Sequence, residues 1–299
     1  MPAITSANLA DAIVRLIAAE SMDPLMSNLF MGNLINRNYE RTLNAQGDTV
    51  NIPIPPVMSG TNIAEGGSVT TQTQSLGNAQ VVLNVHFESS FQIPDVTQVI
   101  AHPQLLSMYM QPTMIAVAER IESDIFNLYA NLTANAQVGT SNTSLTESTI
   151  DRAETAMFEA KIPAGYPKFL AVSPSGYSDL RQISRFSESE KSPAFGNTIP
   201  DGTLGKIKDF YVLRSQLVPK VGNTTYNMAF VRDAMALVMR QLPKPLPGTG
   251  AIAEYAEMGN FGMRIVMSYQ PNTLAQQFTV DVLYGVAVLR NVFGLVVLS

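Results

Sequence analysis

The chain has 299 residues, 46% hydrophobic and only 14% charged, with a net charge of −5, no cysteine, and two histidines, His86 and His102. That length allows one large domain or two medium ones, while the missing cysteines exclude disulfides and thiolate-held metals and the two histidines exclude a multi-histidine zinc site. A charged fraction well under the usual ~25% suits a surface covered by neighbouring subunits rather than by water.

Residues 7–31 read as one or two amphipathic helices, with Leu9, Ile13, Leu16 and Ile17 on one face. Acidic residues are mixed into this arm and it lacks a basic start, so it does not read as a secretory signal. No apolar run reaches membrane-spanning length, and the expected place of synthesis is the cytoplasm.

From Gly47 the texture becomes extended. Val50, Ile52 and Ile54 alternate in a short strand that its prolines confine to an edge. A polar, glycine-bearing stretch follows, and then AQVVLNVHFESSFQIPD returns as one long strand. The expectation is a two-stranded arm that lies on its own domain or on another chain, because an isolated ribbon is marginal in water. His86 within it reads as an ordinary strand histidine.

Ala101 to Leu132 is the organising stretch. Met114, Ala118, Ile121, Ile125, Leu128 and Leu132 recur at three- and four-residue spacings and predict one buried helical stripe. Pro112 predicts a break after a short helix at 103–110 and suits the first turn of a rod that runs from Pro112 onward. Glu119 and Glu122 are expected on the solvated side of that rod.

A polar bridge then leads to a helix over 146–161, with Ile150, Ala153 and Met157 on one face. A buried strand at 168–172 is followed by Ser173 and Pro174, placed as cap and first helical residue. Residues 186–204 read as a loop. GKIKDFYVLRS reads as a strand, KVGNTT as a tight connection, and NMAFVRDAMALVMRQL opens with a returning strand. The last part reads as strand, turn at Pro271-Asn272, and a long apolar element.

Reactive motifs are missing from this order. Gly202-Thr-Leu-Gly205-Lys206-Ile207 has the wrong spacing for a phosphate-binding loop and no hydroxyl after its lysine. Ser173-Pro174-Ser175-Gly176 reads as a helix start rather than a nucleophile, and Glu119/Glu122 and Glu188/Glu190 as solvated carboxylates. Neither catalytic residues nor a cofactor are expected, so the chain reads as a non-enzyme.

In the order and character of its pieces the chain resembles the tailed-bacteriophage major capsid proteins, the Hong Kong 97-like fold also used by encapsulins. The matching pieces are the N-terminal arm, the stretch opening GDTVNIPIP and closing FQIPD, the helix within 113–132, FLAVSPSGYSDLR, GKIKDFYVLRS, NMAFVRDAMALVMRQL and VDVLYGVAVLRNVFGLVVL. The resemblance implies an α+β fold with an N-terminal arm (1–44) and an extended β-ribbon loop (45–94). A peripheral domain with a long spine helix (95–145 with 266–299) and an axial domain (146–265) complete it. It implies a virion shell of hexamers and pentamers around double-stranded DNA, contacted non-specifically, with scaffolding, portal and decoration proteins as partners and no membrane. Some relatives crosslink through a lysine of the extended loop; this chain has no lysine before Lys161, so a non-covalent shell is expected.

Charge is divided along the chain. Residues 1–160 hold 5 basic and 15 acidic side chains and residues 161–299 hold 14 and 9, balances of −10 and +5. Candidate contacts between subunits are therefore Asp48, Glu65 and Glu88 on the arm against Lys206, Lys208 and Arg214 of a neighbour, with the Gly66-Gly67 tip of the arm expected to be covered in the shell. Two alternatives stay open: an encapsulin-like compartment shell, and a soluble β-rich hydrolase or sugar-binding protein.

Overall fold

The computed structural model describes residues 30–39, 48–54, 58, 60, 62–63, 65–68, 71, 77–96, 105–132, 137–163, 165–183, 205–246, 249–258 and 261–299. Residues 7–29 of the helices expected over 7–31, and the loop expected over 186–204, lie outside the described residues.

Five helices are described: α1 (Met31–Leu34), α2 (Leu105–Asn127), α3 (Tyr129–Leu132), α4 (Glu147–Glu159) and α5 (Pro174–Gln182). The stripe on α2 and α3 is buried as its spacing requires, with Met114, Ala118, Ile121, Ile125 and Leu132 fully inaccessible. The expected break at Pro112 does not occur, and α2 runs through it. Met108, Gln111 and Pro112 lie on the exposed side of the helix, where water can serve the carbonyl that loses its amide partner. One turn on, the Thr113 hydroxyl donates to the Tyr109 carbonyl at 2.7 Å.

The helix packs on a five-stranded antiparallel sheet. Its long strand β13 (Ala275–Val288) carries β3 (Val85–Pro94) on one edge. On the other edge β12 (Phe261–Gln270) pairs with Ala275–Asp281 and β10 (Met235–Arg240) with Leu283–Val288 of β13, while β11 (Ala251–Met258) pairs outside β12. Side chains alternate across this sheet. Val85, Phe87, Phe91, Phe278, Val280, Val282, Met263 and Ile265 face the core shared with α2. His86, Glu88, Asp281 and Arg264 occupy the opposite face, as the pairing Glu88–Asp281–Arg264 requires.

A second, mixed sheet runs β4 (Gln137–Gly139), β14 (Gly294–Leu298), β9 (Thr224–Val231), β5 (Lys168–Val172), β7 (Phe210–Arg214), β6 (Lys206–Ile207), with β8 (Lys220–Val221) hairpinned onto β9. Its central strands are buried on both faces. Leu170, Val172, Ala229, Val231, Leu295 and Val297 meet α4 and α5, while Ala171, Met228, Phe230 and Val296 join the core under α2. GKIKDFYVLRS is not one strand but a hairpin, because Lys208 takes a left-handed conformation (φ 52°) and turns the chain back at Asp209. The cap at Ser173 is where the sequence places it: its hydroxyl accepts from the Gly176 amide at 3.2 Å.

The arm differs most from expectation. β1 (Thr49–Ile54) pairs with β2 (Gly77–Val82), but the returning strand stops there. At Leu83-Asn84 the chain leaves the ribbon and enters the five-stranded sheet as β3, because β13 offers it a ten-residue partner. The expected division into 95–145 with 266–299 and 146–265 is not how the sheets divide: β10 pairs with β13 and β11 with β12, so 235–258 joins the sheet under α2, whereas β14 pairs with β9 and β4.

Candidate assembly surfaces

The ribbon rests on one end of the five-stranded sheet, on the face opposite α2. Val50, Ile52, Val81 and Leu83 pack against Ala236, Val238 and Leu289. Its crossing point is tight: a Cβ on Gly285 of β13 would stand 2.1 Å from the Val82 carbonyl oxygen, so this position requires glycine. The Leu83 amide donates to the Asp48 carbonyl at 2.7 Å and closes the base of the ribbon.

Asp48, Glu65, Gly66 and Gly67 are exposed, and Gly66 turns at φ 83°. Met58, Ile63 and Val82 also face outward, 63, 49 and 41% exposed. Glu88 lies apart from these, exposed on β3 and across from Asp281.

The three basic candidates sit on the seven-stranded sheet. Lys206 is exposed, 3.8 Å from Asp209 and 5.6 Å from the Tyr211 ring centre. Lys208 is held by Asp151 and Glu147 of α4, and Arg214 lies over the Tyr177 ring at 5.5 Å. Within one chain the acidic and basic candidates are not brought together; Lys208 is engaged by its own helix.

Several charged groups escaped sequence reasoning. Asp281 is 4% exposed and takes two bonds from the Arg264 guanidinium, Nε at 3.0 Å and Nη2, with His86 Nε2 at 3.2 Å. The Asp281 carboxylate holds the Arg264 guanidinium above its ordinary value. Its signal in the sequence was a lone acid inside an apolar strand, VDVLYG. Lys168 is 1% exposed, 3.0 Å from Asp209 and 3.6 Å from the Phe158 ring centre.

Glu122 is a correction. It is not solvated but 1% exposed, and its Oε1 accepts from the Met31 amide at 2.7 Å. Burial pushes its carboxyl up to about 7, against the downward pull of the Met31 and Phe30 amides. Tyr284, fully buried, donates to Asp124 at 2.6 Å, and burial with that bond drives its phenol upward. Among the described residues no group of His, Asp and Glu is placed to hold a metal ion, and no helix is long and apolar enough to cross a membrane.

A family model for phage capsid protein matches residues 90–297. No curated protein matches the sequence. Among solved structures, that of Mycobacterium phage Che8 is 16% identical over 89% of each chain, with a TM-score of 0.64. The capsid of cyanophage P-SCSP1u is 15% identical over 85% of this chain and 84% of that one, TM-score 0.64. An encapsulin complex from Synechococcus elongatus PCC 7942 is 13% identical over 85% and 83%, TM-score 0.54. At these identities the likeness is one of fold.

Proposed function

Because the chain belongs to the phage capsid protein family, we propose that the shell it builds is that of a tailed phage and encloses double-stranded DNA. A shell-forming, structural and non-catalytic role in the virion, and association with further copies of the chain, follow from the family itself. The observation that carries the finer reading is the β1–β2 ribbon, packed on the sheet by Val50, Ile52 and Val81, with Glu65, Gly66 and Gly67 between its strands exposed.

In this reading the extended loop expected over 45–94 ends at Leu83-Asn84, since Val85–Pro94 belongs to the five-stranded sheet, and its ribbon lies over an adjacent subunit. α2 with the five-stranded sheet forms the peripheral domain, and α4, α5 and the seven-stranded sheet form the axial domain around capsomer centres. Asp48, Glu65 and Glu88 then meet basic side chains of a neighbour, with Lys206 and Arg214 better placed than Lys208, which α4 already holds. The shell is held without lysine crosslinks, since the ribbon has no lysine. Assembly takes place in the host cytoplasm with scaffolding, portal and decoration proteins.

The test is to image nuclease-treated particles purified from the producing cell and assay their contents. Closed shells holding nuclease-resistant double-stranded DNA are the expected result. Closed shells with protein cargo and no DNA would replace the phage reading by an encapsulin-like one. A monomer by light scattering, under all assembly conditions, would contradict both.

A further inference from the structure

The first described helix, α1, has no side-chain cap of its own: Phe30 stands at its N-cap and offers no hydrogen-bonding group. The missing acceptor comes from 91 residues away, where Glu122 on α2 takes the Met31 amide at 2.7 Å. Around this bond the segment is well packed. Met31 and Ile35 are fully buried, and the Phe30 ring meets Phe126 edge-on at 6.4 Å. Asn36 then ties the chain to β10, accepting from the Leu237 amide and donating to the Met235 carbonyl, each at 3.1 Å. Residues 30–35 are thus held at one end by backbone pairing, which does not titrate, and at the other by a buried carboxyl, which does.

No cation compensates that carboxyl among the described residues. On its own helix, Glu119 is exposed and Arg120 pairs with Asp124, which also receives the Tyr284 hydroxyl. Arg37, beyond α1, lies beside the Met239 sulfur. From the sheet, Asp281, Arg264, His86 and Glu88 sit on the face turned away from α2. Among the described residues ionised Glu122 is therefore a buried charge served by backbone amides alone, which costs more than the same charge in water.

We propose that Glu122 is a proton-operated latch: its neutral form lets residues 30–35 seat against α2, and ionisation favours their opening to let water reach the carboxylate. The segment so controlled is the one through which residues 1–29 join the rest of the chain. The sign follows from linkage. The seated state has a carboxyl near 7 and the opened state one near the ordinary 4.5, so seating strengthens as pH falls from above 7 toward 4.5 and is weakest in alkali.

The test is amide hydrogen exchange of intact protein at pH 6 and pH 8, corrected for intrinsic exchange. Protection of the amides of Met31 to Ile35 is expected to fall about tenfold from pH 6 to pH 8, as expected for a group titrating near 7. The Leu237 amide, on the far side of the Asn36 tie, should not respond. Glu122→Gln should abolish the pH dependence, and Glu119→Gln, three residues away and exposed, should retain it. Wild-type protection that is flat across this range overturns the latch without recourse to any variant, as does a Glu122→Gln protein with the wild-type slope.

Discussion

Along α2 and α3 every residue of the apolar stripe is under 10% exposed, whereas on the ribbon strands only Val50, Ile52 and Val81 are buried and Val82 stands 41% exposed. Both stretches are amphipathic by their own period. The helix finds its partner inside the chain, in β3 and β13, and gains roughly 1.5–3 kcal/mol for each large side chain it buries. Among the described residues the ribbon finds a partner at its base. A two-stranded ribbon is marginal alone, so its outer length needs a second surface. In a protein that associates with its own copies, the nearest such surface is another subunit.

The largest expected effect breaks the helix side of this contrast. Ile121→Asp places an unpaired charge at a fully inaccessible position and should cost about 4 kcal/mol or more, while Ser123→Asp, on a half-buried face, should cost under about 1 kcal/mol. Denaturant unfolding of the two variants measures the difference; equal midpoints would mean the stripe is not what holds the helix.

A smaller effect separates ribbon from core. Gly285→Ala drives a methyl group into the Val82 carbonyl, so the ribbon base must shift, at an expected cost of about 1–3 kcal/mol. The loss should show as faster exchange of the Leu83 amide, with the amides of α2 unchanged. Uniformly faster exchange would show that ribbon and helix unfold as one unit.

The smallest effect concerns charge. Each exposed pair between ribbon and neighbour is worth about 0–1 kcal/mol, screened at 1 M salt where the Debye length is near 3 Å. Salt should therefore slow assembly of the wild type more than that of a Glu65→Gln, Glu88→Gln variant. Superimposable curves of assembly rate against salt would leave apolar burial as the only force between subunits.

What the sequence made legible was local. The 3.6-residue stripe of α2, the Ile150-Ala153-Met157 face of α4 and the Ser173-Pro174 start of α5 each declare themselves within a few residues. So does the alternation from Val81 to Phe87, which is correct through the point where the strand changes partner. What stayed hidden depended on distant chain. Only β13, nearly 200 residues on, decides that β3 leaves the ribbon. Glu122 looks like any surface acid until Met31 is placed on it. β4 is three residues of a polar bridge and is a strand only because β14 runs beside it, and the alanine- and glutamate-bearing β11 carries no strand signal until β12 is in place. Of the candidate contact residues, the exposed ribbon positions were readable from their glycines and polar neighbours, while the capture of Lys208 by α4 was not.

The central claim is that the ribbon is completed by a neighbouring subunit, and limited proteolysis tests it most directly. The Glu65-Gly66-Gly67 tip is exposed in the single chain, and polar glycine-bearing tips are cut readily unless covered. Cleavage at this tip should be fast in unassembled subunits and strongly suppressed in closed shells, with the 32.4 kDa chain kept intact in the latter. Equal cleavage in both states would contradict the account, because the ribbon would then remain uncovered in the assembled shell.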